Sequence, residues 1–198
     1  MTDEQPDLEK LLLFDRAVEF DVWLDPLSPA TSLLLPYLDL DGHTNGGRPW
    51  RFRGSQDVGL RLLPDPDDAL SCVAARCILA VRAWAVRRAA GDNLIPMDYD
   101  LPWAYLGAML RDIRSVRTVG LPHLVSLAGR EGEWLGDWVA EYRDSDAVRS
   151  ALAAEIEEAT ALGVTDAPTI IVRNLLYDFT NMPDDIAEQI TIHLAQTG

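Results

Sequence analysis

One stretch constrains this chain more than any other: Val18-Glu19-Phe20-Asp21-Val22-Trp23-Leu24-Asp25-Pro26-Leu27-Ser28-Pro29. Val18, Phe20, Val22 and Leu24 alternate with Glu19, Asp21, Trp23 and Asp25, the two-residue period of a strand, which predicts a first strand over roughly 17–24. Asp25-Pro26 ends that strand. Ser28 followed by Pro29 then opens a helix. The Ser hydroxyl accepts from an early backbone N–H, and Pro in the first helical position gives up no hydrogen bond the helix needs. Ser28 is thus expected at a helix start, beside free N–H groups and the positive end of the helix dipole, where an anion or thiolate is stabilised. Glu19 and Asp21 are unusual for a covered central strand. They suggest an edge-like position, a polar pocket on one face, or a solvated strand face.

The 198 residues suggest one domain, or one domain with a large insertion. Lys+Arg number 17 against 32 Asp+Glu, a net charge of −15, which excludes the basic surface a phosphate-backbone partner needs. No nucleic-acid partner is therefore expected. Two cysteines, Cys72 and Cys77, fall in one helical pattern. Five residues apart, they point about 140° away from each other, so they are not expected to pair. With three scattered histidines they form no metal-ligand spacing, and no metal is expected. The acidic start has no basic-then-apolar segment, and no apolar run is expected to reach the length of a membrane span. These features predict a cytoplasmic protein without a membrane partner. His43, His123 and His193 stand alone and are read as non-catalytic.

Further along, a helix begins at Pro29 and is interrupted at Pro36. A second strand is expected within Trp50–Arg53 or Val58–Leu63. Arg48, Arg51 and Arg53 form a local basic cluster that either offsets nearby carboxylates or meets an anionic ligand. From Pro66 to about Gly163 the pattern is helical almost throughout. Asp67 and Asp68 mark a helix start. Leu70, Val73, Cys77, Val81 and Trp84 trace an apolar stripe on a helix stopped by Gly91-Asp92-Asn93. A helix over 101–116, one from Leu121-Pro122-His123, and one from Ser145 to Leu162 capped by Gly163 complete the block. Trp134 and Trp138, at i and i+4, are expected to share a face, as core or as a wall of a ligand cavity. Gly163-Val164-Thr165-Asp166-Ala167-Pro168-Thr169-Ile170-Ile171-Val172 then leads into an apolar strand, with its antiparallel partner over Leu175–Phe179 and a final helix from Pro183 to Gln196.

Two of these segments carry a resemblance. Asp21-x-Trp23-x-Asp25-Pro26-x-Ser28-Pro29 resembles the active-site turn of the DsbA family of thioredoxin-like proteins. Gly163-Val164 followed by Pro168-Thr169 resembles the cis-proline loop of that fold. The branch it looks most like includes mycothiol-dependent nitroreductases, 2-hydroxychromene-2-carboxylate isomerase and kappa-class glutathione transferase. Dithiol members carry Cys-Pro-x-Cys where this chain has Ser28, Pro29, Ala30 and Thr31, so both sulfurs are absent. The isomerase and kappa branch has Ser-Pro there, though the aromatic residue that often follows is replaced by Ala30.

The resemblance implies an α/β thioredoxin-like fold, DsbA-like, with the thioredoxin-like domain over 14–65 and 163–198 and a large all-helical insertion over 66–162. It implies a cis bond at Ala167–Pro168. It also implies a low-molecular-weight thiol, mycothiol or glutathione, with its sulfur at Ser28 and its backbone along Pro29, Ala167, Pro168 and Thr169. Trp23, Asp25 and Thr31 would border a pocket for a small electrophilic substrate. The activity implied is that of a thiol-dependent isomerase or transferase. Dithiol exchange is excluded at this turn, because the thiolate is the reactive species. Ser28 as a nucleophile finds no support, since no Gly-x-Ser-x-Gly elbow or placed His is visible. Three alternatives stay open: Ser28 as a plain helix cap, a redox-silent binding protein that keeps the fold for a partner or a homodimer, and a pathway-specific enzyme that needs no thiol.

Overall fold

The structure, a computed structural model, describes residues 7–12, 20–34, 58–91, 100–172 and 175–178. A four-stranded sheet has the order β2-β1-β3-β4. Strand β1 (Phe20–Leu24) runs parallel to β2 (Val58–Leu62) and antiparallel to β3 (Thr169–Val172), which pairs antiparallel with β4 (Leu175–Asp178). A short helix α1 (Leu8–Leu12) precedes the sheet. Among the described residues, six helices lie between β2 and β3: α2 (Ala69–Gly91), α3 (Asp100–Arg111), α4 (Ile113–Val119), α5 (Leu121–Glu131), α6 (Leu135–Tyr142) and α7 (Asp146–Leu162). This is a thioredoxin-like sheet with a large helical insertion. The alternative strand at 50–53, the cluster of Arg48, Arg51 and Arg53, the interruption at Pro36, His43, His193 and the final helix lie outside the described residues.

Strand β1 is central, not edge-like. Val22 and Leu24 point into the main core with Leu60, Leu62, Ile78 and Leu106, while Trp23 packs on the other face with Ala159, Val164, Leu63 and Ile171. Asp21 shares the face of Trp23 and is accommodated by an ion pair from its Oδ1 to Arg61 Nε at 3.1 Å. A charged residue in a central strand is thus neutralised diagonally across the β1–β2 pair.

The outer edge of β2 is closed by side chains. Leu63 N donates to Leu24 O at 2.8 Å, toward β1. Strand parity then turns Leu60 and Leu62 outward. Leu62 N donates to Glu155 Oε2 of α7 at 2.7 Å, Leu60 O accepts from Arg82 Nη2 of α2 at 2.5 Å, and Arg82 Nη1 pairs with Glu155 Oε1 at 2.5 Å. One ion pair, its carboxylate buried and its guanidinium half-buried, supplies the donor and acceptor that another strand would have offered.

Helix α2 is the axis of the insertion. It packs against α1, α3, α5, α6 and α7, which is why it is nearly all apolar. Contrary to expectation, it is long and apolar enough by length and composition to cross a membrane. In the fold it is a core helix, with Ala74, Ala75, Cys77, Ile78, Leu79, Ala80 and Val81 buried and Arg76 and Arg82 paired with Asp144 and Glu155.

Two helical expectations are corrected. The helix over 101–116 is broken at Asp112 into α3 and α4. The Asp112 carboxylate is engaged by Ser115 and by His123 Nε2 at 2.7 Å, and an Asp whose side chain bonds locally favours a break. Trp134 and Trp138 do not share a face. Trp134 precedes α6 with φ 65° and is 67% exposed, while Trp138 is buried. Trp138 Nε1 donates to Ala80 O at 2.8 Å, and its ring meets Trp84 edge-on at 5.1 Å and Tyr142 at 4.3 Å. The helix over Asp146–Leu162 follows its sequence signals. Ser145 Oγ accepts from Val148 N, and Gly163 takes φ 79° as the left-handed cap.

Candidate functional site

The turn after β1 is built around Asp25. Its backbone O accepts from Ser28 N at 3.2 Å and from Thr31 Oγ1 at 2.6 Å. Its carboxylate accepts from Leu27 N at 3.0 Å, from Asp65 N at 3.3 Å and from the Ser71 hydroxyl. Asp25 is 7% exposed, so these bonds replace its water. An Asp-Pro dipeptide that stops a strand here also ties the turn to the β2–α2 loop and to the first turn of α2.

Ser28 follows, half-buried. Its Oγ accepts from Ala30 N at 3.2 Å, a local bond of the kind that lets Ser hold a turn, and the helix expected to begin at Pro29 with Ser28 as its cap is instead a 3-10 helix that begins at Thr31. Thr31 N and Ser32 N then bond to Ser28 O and Pro29 O at 3.1 and 3.2 Å, winding a 3-10 turn over Thr31–Leu34. Among the described residues the Ser28 O–H has no acceptor. Pro29 is exposed, and Thr31 is fully buried under the turn.

The second segment lies alongside. Trp23 pairs with Thr169 in the β1–β3 register, so the loop over 163–168 sits beside the carboxyl end of β1, from which the Ser28 turn departs. The Ala167–Pro168 peptide is cis. Pro168 and Thr169 are buried, Ala167 is half-buried, and Thr169 Oγ1 donates to Asp166 O at 2.7 Å. The Ser28-Pro29 turn and the segment Ala167, Pro168 and Thr169 thus belong to the same end of the sheet by strand register. Trp23, Asp25 and Thr31 are placed differently from the border of a pocket. All three are inside, Trp23 in a core cluster and the other two in hydrogen bonds of the turn itself.

Residues that sequence reasoning passed over hold the turn from outside. Arg117 of α4 donates from Nη2 to Leu27 O at 2.9 Å and pairs through Nη1 with Asp68. Asp68 Oδ1 accepts from Leu70 N and Ser71 N at 3.0 and 3.1 Å. Burial pushes the Asp68 carboxyl up, but the bonds from Arg117 and from the Ser71 and Leu70 amides outweigh it and leave the pKa below its ordinary value. Asp68 was legible as a helix-start acid; Arg117, 90 residues from Leu27, carries no local signal.

Neither cysteine restores the missing dithiol. Cys77 is buried in the core, and burial pushes its thiol up to about 12. Cys72, half-exposed on α2, donates to Asp65 O at 3.5 Å. Burial raises its pKa; Arg76 opposes this, and the carboxylates of Asp25, Asp68 and Asp65 add to it. Among the described residues no group of His, Cys, Asp or Glu could hold a metal.

No protein-family profile matches the sequence, and no curated protein matches it. Solved structures do. DsbA of Pseudomonas aeruginosa superposes with a TM-score of 0.55 at 13% identity, over 92% of this chain and 85% of that one. The cytosolic disulfide reductase DsbM of Pseudomonas aeruginosa, solved with GSH, gives 0.54 at 17% identity, over 89% and 98%. A candidate protein-disulfide isomerase of Pseudomonas syringae gives 0.53 at 19%, over 87% and 90%. At these identities the likeness speaks for the architecture alone, and on it the chain has the DsbA-like form of the thioredoxin fold, with a serine-proline turn where the sheet meets its cis-proline loop.

Proposed function

We propose that the chain binds a low-molecular-weight thiol, glutathione or mycothiol, with its sulfur at Ser28, and acts as a thiol-dependent isomerase or transferase on a small electrophilic substrate. The observation that carries this reading is the Ser28 hydroxyl. Its oxygen is fixed by Ala30 N, its proton has no acceptor among the described residues, and its turn leaves the end of β1 that pairs with the start of β3, where the Ala167–Pro168 loop enters. A donor held in this way stabilises a sulfur anion as it forms. The bound thiol loses its proton to solvent, and the sulfur adds to an electrophilic carbon. In conjugation the new S–C bond stays, and the adduct takes up a proton or loses a leaving group. In isomerisation the S–C bond breaks again after the rearrangement, returning the thiol. A neighbour of the same fold solved with GSH supports glutathione as the first thiol to try. The name of that neighbour also supports a cytoplasmic setting for this reading.

One observation favours a second reading. Burial raises the thiol of Cys72, Arg76 opposes it, and the carboxylates of Asp25, Asp68 and Asp65 add to the rise; one of these carboxylates, Asp25, is built into the turn that carries Ser28, where its charge opposes a sulfur anion. A redox-silent binding protein of this fold would not meet that cost. A thermal-shift series with glutathione, mycothiol and coenzyme A on wild type and Ser28→Ala decides between them. At 100 times its dissociation constant a ligand stabilises by about 2.7 kcal/mol. A shift in wild type that shrinks in Ser28→Ala is the expected result. No shift with any thiol sinks the thiol reading in favour of the binding protein.

A further inference from the structure

We infer that Arg117, on the inserted helix α4, is the positioning residue of the Ser28 turn. Its guanidinium makes two directed contacts at once. Nη2 donates to the carbonyl of Leu27 at 2.9 Å, and Nη1 pairs with Asp68 at the start of α2. Leu27 directly precedes Ser28, and its own N–H is held by Asp25 Oδ1 at 3.0 Å. The Leu27 residue is therefore pinned through both of its peptide groups, one by a buried carboxylate and one by the insertion. With the peptide ahead of it fixed, Ser28 has little backbone freedom left, and its hydroxyl direction follows. A planar fork of donors suits two acceptors set apart in this way; an ammonium does not.

The contact is not a strong stabiliser of the whole fold. The Arg117 and Asp68 side chains are 41% and 22% exposed, and such pairs add little to global stability. What the pair supplies is a fixed relation between α2, α4 and the turn. A Cβ added at Gly120, which ends α4, would come within 3.9 Å of Leu70 Cδ1, so the end of α4 also lies near the start of α2. The insertion thereby reaches the site through one side chain that bridges two backbone segments.

As a role in ligand binding this inference rests on the proposed thiol site; as a clamp on the turn it does not, and two readouts separate them. Amide hydrogen exchange and glutathione titration are run on the full chain as wild type, Ser28→Ala, Arg117→Gln, Arg117→Lys and the Ser28→Ala/Arg117→Gln double variant. In Arg117→Gln, exchange at Ala30 and Thr31 is expected to quicken about tenfold, the change of one 1.4 kcal/mol step, while α5 and α6 amides are unmoved. The melting temperature should stay within about 3 °C of wild type. Glutathione binding should weaken about tenfold, Arg117→Lys should not restore it, and the double variant should bind no worse than Ser28→Ala. Unchanged exchange at Ala30, full rescue by Lys, or additive losses in the double variant each overturn the inference. A wild type that ignores glutathione, with the exchange change still present in Arg117→Gln, sinks the thiol reading and supports the clamp.

Discussion

The carboxylate of Asp25 and the hydroxyl of Ser71 are hydrogen-bonded across 46 residues of sequence, deep in the fold. Asp25→Ala removes the acceptor for Ser71, Leu27 N and Asp65 N together. Unsatisfied buried donors cost about 1–3 kcal/mol each. We expect about 3 kcal/mol or more from Asp25→Ala in urea unfolding and about 1 kcal/mol from Ser71→Ala. The two losses should be less than additive, because Ser71 has lost its partner once Asp25 is gone.

Removing Glu155 should be among the most damaging single changes. Glu155→Ala removes the acceptor of the Leu62 N–H and leaves the Arg82 guanidinium with Leu60 O; an orphaned buried donor and a lost part-buried pair together should cost about 2–3 kcal/mol. Asp146→Ala removes an exposed partner of Arg149 and should cost under about 0.5 kcal/mol. Comparable losses in the two variants, measured by denaturant titration, would contradict this account of the β2 edge.

Helices α5 and α6 meet at glycines. A Cβ on Gly136 would lie 3.1 Å from Val125 O and 3.3 Å from Gly129 Cα. The helices must part, and Gly136→Ala should cost about 1–3 kcal/mol. Gly163→Ala meets open space, and its cost, about 1 kcal/mol, comes only from the left-handed backbone.

Thiol labelling should report the electrostatics of the site. Native protein near pH 7 should release one thiol slowly, Cys72, and protect Cys77 until it unfolds, because both thiols are raised and the thiolate is the reacting form. Asp65→Asn removes a negative charge beside Cys72, lowers its pKa and should speed its alkylation. A slower reaction in Asp65→Asn would show that access, not charge, sets the rate.

Stability should fall in acid partly through Asp68. Its folded pKa is below the ordinary 3.8, so it holds fewer protons folded than unfolded. Its contribution is present above that ordinary value and fades as the pH drops through the lower, folded one. Asp68→Asn should flatten the acid limb of a Tm-against-pH profile and leave the limb above pH 6 parallel to wild type.

Much of this was legible in the residues, because it is written in local signals. The alternation that ends at Asp25-Pro26, the Ser28-Pro29 turn, Ser145 and Gly163 around α7, and the apolar run into β3 each depend on neighbours within a few positions. Where partners are distant the reading ran short. Asp21 looked like an edge residue until Arg61 supplied the opposite charge. The break at Asp112 needed His123 from the next helix. Trp134 and Trp138 had the spacing of one face, but the helix starts between them. That the Ser28 turn and the Ala167–Pro168 loop belong to one end of the sheet came from resemblance and depends on the β1–β3 register, whereas Arg117 left no mark that a local pattern could carry.

The Arg82–Glu155 pair has a consequence for how copies of this chain behave toward each other. An open strand edge is a template on which another strand can add, and it is a common seed of aggregation. At β2 the outward amide and carbonyl are occupied by a salt bridge that cannot be extended, so growth of a ribbon stops at that side of the sheet. A partly unfolded chain that loses α7 but keeps its strands would lose this stopper first.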